Sequence, residues 1–293
     1  MRDKVALIGF GEAGQTFAEA GGWGRRARVF DRLTDDPATQ PAKQRDYERL
    51  GVAGQPTLAA AIAGAELALS LVTAGQAGFA AEAAARSIAS GCLYCDMNSV
   101  APTTKRAAAA AVEAAGAGYV DVAVMAPVQP GRLDVPLLLS GAAAVRAAAA
   151  LAALGFTSVR VVGSSVGEAS AIKMIRSVMV KGVEALTAEC MLAAELAGVT
   201  QEVLASLDQS ERSLPWAERA DYNLDRMLAH GIRRSEEMKE VVRTLQQLGV
   251  EPLMAHATAE RQRRVGKVGA GRPRVGLAGK LAQIVGRDRA NAA

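Results

Sequence analysis

Val5-Ala6-Leu7-Ile8-Gly9-Phe10-Gly11-Glu12-Ala13-Gly14 is the stretch that decides the fold. Four apolar residues read as a strand. G-x-G-x-x-G follows at once and opens a helical stretch over 12–20. In that setting the first glycine makes a tight turn, the second lets a pyrophosphate approach the backbone, and the third lets helix and strand pack closely. The helix start also offers free N–H groups and a positive dipole end to a phosphate. Gly9, Phe10, Gly11, Glu12, Ala13 and Gly14 are therefore the expected dinucleotide loop. A second strand, 27–30, ends at Asp31, 22 residues after Gly9. An acid there accepts hydrogen bonds from the adenosine ribose hydroxyls and repels a ribose phosphate, which favours NAD over NADP. Arg32 follows, and its guanidinium could stack on adenine or engage that phosphate, which keeps NADP open.

Outward from this loop, strand-like and helical runs alternate as far as residue 165. Further strands are expected at 67–72, 92–97, 119–124, 136–140 and 159–162, with helices near 76–88 and from Pro102 to 112. The Ala-rich segments around 107–118 and 142–153 read as helices. Alternation of this kind implies a parallel sheet covered on both faces. After Gly163 the pattern changes to a long apolar stretch over 166–196, then helix after helix: 201–207, 218–229, 235–248 and 253–264. Pro215, Gly231, Gly249 and Pro252 punctuate them. The expected architecture is an α/β Rossmann-type doubly wound sheet in residues 1–165. A long helix joins it to an all-α C-terminal domain, 166–293, assigned to substrate binding and dimerisation.

Half of the 293 residues are hydrophobic and 22% are charged, which argues against disorder. No apolar run reaches the ~18 residues of a transmembrane helix. The N-terminus lacks a signal-peptide pattern, and three cysteines are too few for a disulfide scaffold, so a cytoplasmic location is expected. The net charge of +4 is uneven: 261–289 carries +8 and the remainder about −4. That basic tail, with Arg261, Arg263, Arg264, Lys267, Arg272, Arg274 and Lys280, reads as extended and either solvated or wrapped on a partner. It lacks the aromatics that stack on bases, which disfavours nucleic acid. There are 8 Lys against 26 Arg. Each retained lysine therefore draws interest, because lysine can give up its proton and arginine cannot.

Lys173, Arg176, Ser177, Val180 and Lys181 fall on one face of the long helix. On the residues alone, that stripe faces either water or a cleft. Several ordered motifs here resemble the β-hydroxyacid dehydrogenase family related to 6-phosphogluconate dehydrogenase. They are the glycine loop, Asp96-Met-Asn98-Ser99-Val-Ala-Pro102, Asp121-Val-Ala-Val-Met125-Ala126-Pro127, and the Gly163…Gly167…Lys173 helix. The resemblance implies that Lys173 is the catalytic acid/base and that Asn98 and Ser99 lie by nicotinamide and substrate. Val72, ending the strand at 67–72, joins Asn98 in the expected cofactor set. Two departures stand out. Met125-Ala126-Pro127 replaces the family's Ser-Gly-Gly, and Arg176 and Ser177 replace an Asn. The expected substrate shell is thus Asn98, Ser99, Met125, Arg176 and Ser177, with Arg176 gripping an anionic small molecule and Met125 and Pro127 lining an apolar wall that suits a bulkier body than a short-chain acid. The implied reaction is hydride transfer between a nicotinamide cofactor and a 3-hydroxyacid-like substrate, in a homodimer or higher oligomer. Two alternatives are an imine reductase, and a non-catalytic NAD(P)-binding regulator.

Cys92-Leu-Tyr-Cys95 has C-x-x-C spacing but lies in an expected buried strand with no second pair, so it reads as core packing. His230 and His256 lack ligand spacing, and no metal is expected. His230 with Arg233 and Arg234 reads as a solvated helix end.

Overall fold

The computed structural model describes residues 5–210, 214–269 and 273–290; Arg272 of the basic tail lies outside them. In chain order the first elements are β1 (Val5–Ile8), α1 (Glu12–Ala20), β2 (Ala27–Phe30), α2 (Gln40–Leu50), β3 (Ala53–Gly54), α3 (Leu58–Ile62) and β4 (Leu67–Ser70). Then come α4 (Ala77–Ala85), β5 (Leu93–Asp96), α5 (Pro102–Ala114), β6 (Gly118–Val124), β7 (Leu137–Ser140), α6 (Ala144–Ala153) and β8 (Val159–Gly163). The sheet order is β3-β2-β1-β4-β5-β6-β7-β8. From β1 the chain winds outward through β2 and β3, then returns to the other side of β1 with β4. That reversal between β1 and β4 creates the crevice where ligands bind in doubly wound sheets.

Strand alternation explains why the sheet is covered twice. Val5, Leu7, Val29 and Leu69 join one buried cluster, and Ala6, Ile8, Ala68 and Tyr94 join the cluster on the opposite face. Burying a side chain such as Leu7 or Leu69 contributes about 1.5–3 kcal/mol. The sheet departs from the expected all-parallel form at one place: β6 and β7 pair antiparallel. The connection over 125–136 holds one 3-10 turn, Arg132–Asp134, and no α-helix to carry the chain back across the sheet.

Beyond β8 the elements among the described residues are all helices: α7 (Glu168–Leu196), α8 (Thr200–Ser210), α9 (Trp216–Gln247), α10 (Leu253–Gly269) and α11 (Gly276–Ala290). The chain clusters into two compact units that meet in sequence at Val178/Met179, inside α7, whereas the change of pattern falls at 163–166. Gly231 does not end a helix: α9 runs through it for 32 residues, roughly 48 Å at ~1.5 Å per residue. A Cβ at Gly266 would stand 2.5 Å from the Ile232 backbone nitrogen, so Gly231 and Gly266 allow α9 and α10 to touch along their backbones. The described part of the basic tail is not extended either. Residues 276–290 form α11, and Lys280 is 4% exposed, with its amine 2.9 Å from Asp221 and 3.1 Å from Asp225 of α9. Within α10, Arg263 and Arg264 both bond Glu260, and those bonds hold its carboxyl down to about 2.

Candidate cofactor and catalytic site

The loop after β1 is clamped on every side. Gly9 has φ +90°, and a Cβ there would stand 2.5 Å from the Leu71 carbonyl oxygen, so only glycine fits. Phe10 N–H donates to Asp31 Oδ2 at 2.7 Å, and Leu33 N–H donates to Asp31 Oδ1 at 3.0 Å. The Phe10 carbonyl accepts from Lys43 Nζ at 2.8 Å and from Gln15 Nε2 at 3.1 Å. Its ring is fully buried and packs on Tyr47, 5.3 Å between centroids. Burial, then the Asp31 carboxylate, pushes the Tyr47 phenol pKa up, so it stays protonated. Both polar backbone groups of Phe10 are thus used within the protein. Gly14 does the third glycine's work, since a Cβ there would lie 2.9 Å from the Gly9 carbonyl oxygen.

Gly11 differs from both. Its φ is −80°, open to any residue, and a Cβ there would meet nothing within 4 Å. Neither the backbone nor the packing calls for glycine, and the space it leaves is the kind that a pyrophosphate needs. Glu12 and Ala13 start α1 beside it, with Glu12 exposed and Ala13 half-buried. A cavity of about 400 Å³ opens here at the carboxyl ends of β1 and β4. Gly9, Gly11, Asp31, Arg32, Val72 and Gln76 are among its lining residues. Leu33, Leu58 and Phe79 supply apolar walls. Arg32 Nη1 donates to Gln76 Oε1 at 2.8 Å, which holds the guanidinium at the cavity. Each Asp31 oxygen accepts one backbone bond and keeps a further lone pair. The residues therefore fit a dinucleotide: a cradle open at Gly11, an acid beside it and an apolar slot beyond.

On the other side of β4, Asn98 is 5% exposed and fully engaged. Its Oδ1 accepts from Val72 N–H at 2.7 Å, and its Nδ2 donates to Asp96 Oδ1 and Ser70 Oγ. Asp96 also accepts from Tyr119 Oη at 2.6 Å, and burial followed by that carboxylate raises the Tyr119 pKa. Ser99 is exposed. In α7, Lys173 and Ser177 are half-buried, and Ser177 Oγ donates to the Lys173 carbonyl at 2.9 Å. Arg176 is exposed, and its Nη1 reaches the Met125 carbonyl at 3.4 Å. The structure thus brings Val72 to Asn98 and Arg176 to Met125. Sequence reasoning missed Lys43, Gln76 and Lys105. The scarcity of lysine in this Arg-rich chain was the available signal for two of them.

Cys92 and Cys95 lie on opposite faces of the sheet, in different buried clusters. They cannot share a disulfide or a metal in this fold, and burial pushes the Cys92 thiol up to about 11. Among the described residues no cluster of His, Cys, Asp and Glu could hold a metal ion, and no helix is long and apolar enough to cross a membrane. His230 and His256 are both exposed.

Residues 4–155 match the NAD binding domain of 6-phosphogluconate dehydrogenase, and residues 194–265 match a domain of unknown function, DUF1932. The chain belongs to the family defined by that NAD binding domain. A conserved hypothetical protein from Sinorhizobium meliloti is 37% identical over 98% of this chain and 97% of its own, with a TM-score of 0.61. A conserved protein of unknown function with structural similarity to 3-hydroxyacid dehydrogenases is 31% identical over 90% of this chain and 96% of its own, TM-score 0.57. An imine reductase from Myxococcus stipitatus, solved with NADP+, shares the fold at 20% identity, over 92% of this chain and 96% of its own, TM-score 0.72. An uncharacterized 28.5 kDa protein from Methanothermus fervidus is 27% identical over 57% of this chain, and the chain spans 63% of the length of that curated relative. The chain is thus an NAD(P)-binding, hydroxyacid dehydrogenase-like protein with imine reductases among its structural neighbours.

Proposed function

We propose that this protein is a nicotinamide-dependent oxidoreductase acting on an anionic, 3-hydroxyacid-like substrate, with Lys173 as the proton donor and acceptor. The observation that carries the reading is Gly11: a glycine with ordinary φ and open space above it, set in a loop that is otherwise fixed. Gly9, Gly11, Glu12, Ala13 and Gly14 would hold the pyrophosphate, while Phe10 shapes the loop from beneath. Asp31 and Arg32 would meet the adenosine ribose, and Val72 and Asn98 the nicotinamide side. When bound, the cofactor supplies or receives the hydride. Lys173 takes the hydroxyl proton in oxidation and returns it in reduction. Arg176 orients the substrate anion, Asn98 shapes the site through its hold on Val72, and Ser99 and Ser177 are further polar contacts. Met125 forms an apolar wall that keeps water from the reacting carbon. The test is nicotinamide turnover against hydroxy acids and cyclic imines, with Lys173→Ala alongside.

A second reading, imine reduction, has its own support. Met125-Ala126-Pro127 replaces the Ser-Gly-Gly of the dehydrogenase family that the sequence resembles, and the fold matches imine reductases at TM-scores of 0.72 and 0.71. The retained Lys173 weighs toward the alcohol substrate.

NAD is the cofactor that Asp31 favours, because its carboxylate lines the cavity where the 2′-phosphate of NADP would sit. Asp31→Asn keeps an acceptor for one backbone N–H and removes the charge. The NADP/NAD affinity ratio should then rise about tenfold or more, equivalent to ~1.4 kcal/mol. Equal fluorescence titrations before and after the change would refute the assignment.

We also propose a homodimer or higher oligomer. Ile175 and Val178 are each 72% exposed, and Leu192 and Leu196 each 60%, along one helix. Monomers rarely leave so much apolar surface in water. Light scattering should give a mass at least twice 30.3 kDa, and a monomer at micromolar concentration would oppose the proposal.

A further inference from the structure

One buried cation has no part in the chemistry described so far. Lys105, on α5, is 0% exposed. Its amine lies 2.9 Å from Asp96 Oδ1 and 3.5 Å from Asp121 Oδ1, and it donates to the Asp96 carbonyl at 2.6 Å. Both carboxylates are also fully buried. Burying three charges costs more than burying apolar groups of the same volume, so stability alone is a weak reason for such a cluster. Its connections suggest another. On one side Asp96 Oδ1 holds the side chain and N–H of Asn98, which in turn holds Val72 at the nucleotide cavity. On the other side Asp121 Oδ2 accepts from Gly167 N–H at 3.1 Å and Ser170 N–H at 2.9 Å. Ser140 Oγ bonds the same oxygen and accepts from Ala169 N–H. These amides form the start of α7, and Lys173 follows Ser170 by one turn. Lys105 is the link between the two carboxylates and so between the two ends of the site.

We propose that Lys105 is a positioning residue that ties Asn98, at the cofactor side, to the first turn of α7, and thereby sets where the Lys173 amine stands. The proposal rests on the reading of Lys173 as acid/base. Lys105→Met keeps the length of the chain and removes the charge, leaving two buried carboxylates without their shared cation. Lys105→Met/Asp121→Asn brings the cluster back to one net negative charge, and the Asn carbonyl oxygen still accepts from the α7 amides. Both variants are compared with the full-length wild type by steady-state turnover, dinucleotide titration and amide hydrogen exchange over 165–173. Lys105→Met should lower kcat by about tenfold to hundredfold, the scale of a small misplacement of a reacting group. The dinucleotide Kd should move by no more than about threefold, because the glycine loop is untouched. Exchange over 165–173 should speed up, and the double variant should recover most of the rate and the protection. If Lys105→Met does not fold, Asp121→Ala, which removes both the acceptor of the α7 amides and the partner of Lys105, should show the same split between kcat and Kd. Unchanged exchange and unchanged kcat in the folded variants would overturn the proposal. So would a fall in melting temperature with no rescue by charge restoration, which marks a purely structural role. If wild type turns over no substrate, the proposed function fails, and the exchange arm alone decides whether Lys105 orders the start of α7.

Discussion

Gly11→Val is expected to abolish dinucleotide binding while leaving the fold intact. The backbone at Gly11 has φ −80°, which valine adopts without strain, and the new side chain meets no protein atom near its Cβ. The valine methyls instead fill the space above the loop, where the pyrophosphate must approach the N–H groups at the start of α1. Affinity should fall by about hundredfold or more, or ~2.7 kcal/mol, with a melting temperature close to wild type. The same change at Gly9 or Gly14 gives a different result. A Cβ at Gly9 would strike the Leu71 carbonyl, and one at Gly14 the Gly9 carbonyl, so those variants should lose stability as well as binding. Retention of cofactor affinity by Gly11→Val would show that the cradle serves packing and not a ligand.

The second large effect is expected at Lys173. A positioned general acid or base contributes about 10²–10⁴-fold to rate, and under the proposed function Lys173→Ala removes that group without touching the nucleotide cavity. The loss should therefore appear in kcat, with the dinucleotide Kd unchanged. Arg176→Ala should separate from it by raising KM for the acid substrate, because a guanidinium that grips the anion acts in ground and transition states alike. Its bond to the Met125 carbonyl is 3.4 Å long at an exposed position, so releasing it for a substrate carboxylate costs little. Equal kcat and KM in both variants would remove Lys173 and Arg176 from the reaction.

The nucleotide half was legible because its signals are local. Gly14 packs against Gly9 of its own loop and Gly9 against Leu71, just past the strand paired with β1, while strand parity alone separates Cys92 from Cys95. The polar helix α2 was not seen, since only Lys43 and Tyr47 of its eleven residues are buried and no apolar period emerges. The helical half failed at contacts made across long separations in the chain. Gly231 looked like punctuation because its neighbour Gly266 lies 35 residues on. Lys280 looked solvated because its carboxylates, Asp221 and Asp225, sit in another helix. The Lys105 cluster was hidden for the same reason. Asp96 and Asp121 become neighbours only through the pairing of β5 with β6.

Hydride transfer with Lys173 as proton partner, as proposed for this site, is tested most directly by one measurement. Purified protein is given NAD or NADP with a panel of 3-hydroxy acids, and the reduced cofactors with cyclic imines, while nicotinamide absorbance is followed for wild type and Lys173→Ala. Wild type should turn over at least one hydroxy acid, at a rate reduced by about 10²-fold or more in the variant. Imine reduction that proceeds equally well in Lys173→Ala, or cofactor binding without turnover of any substrate, would contradict it.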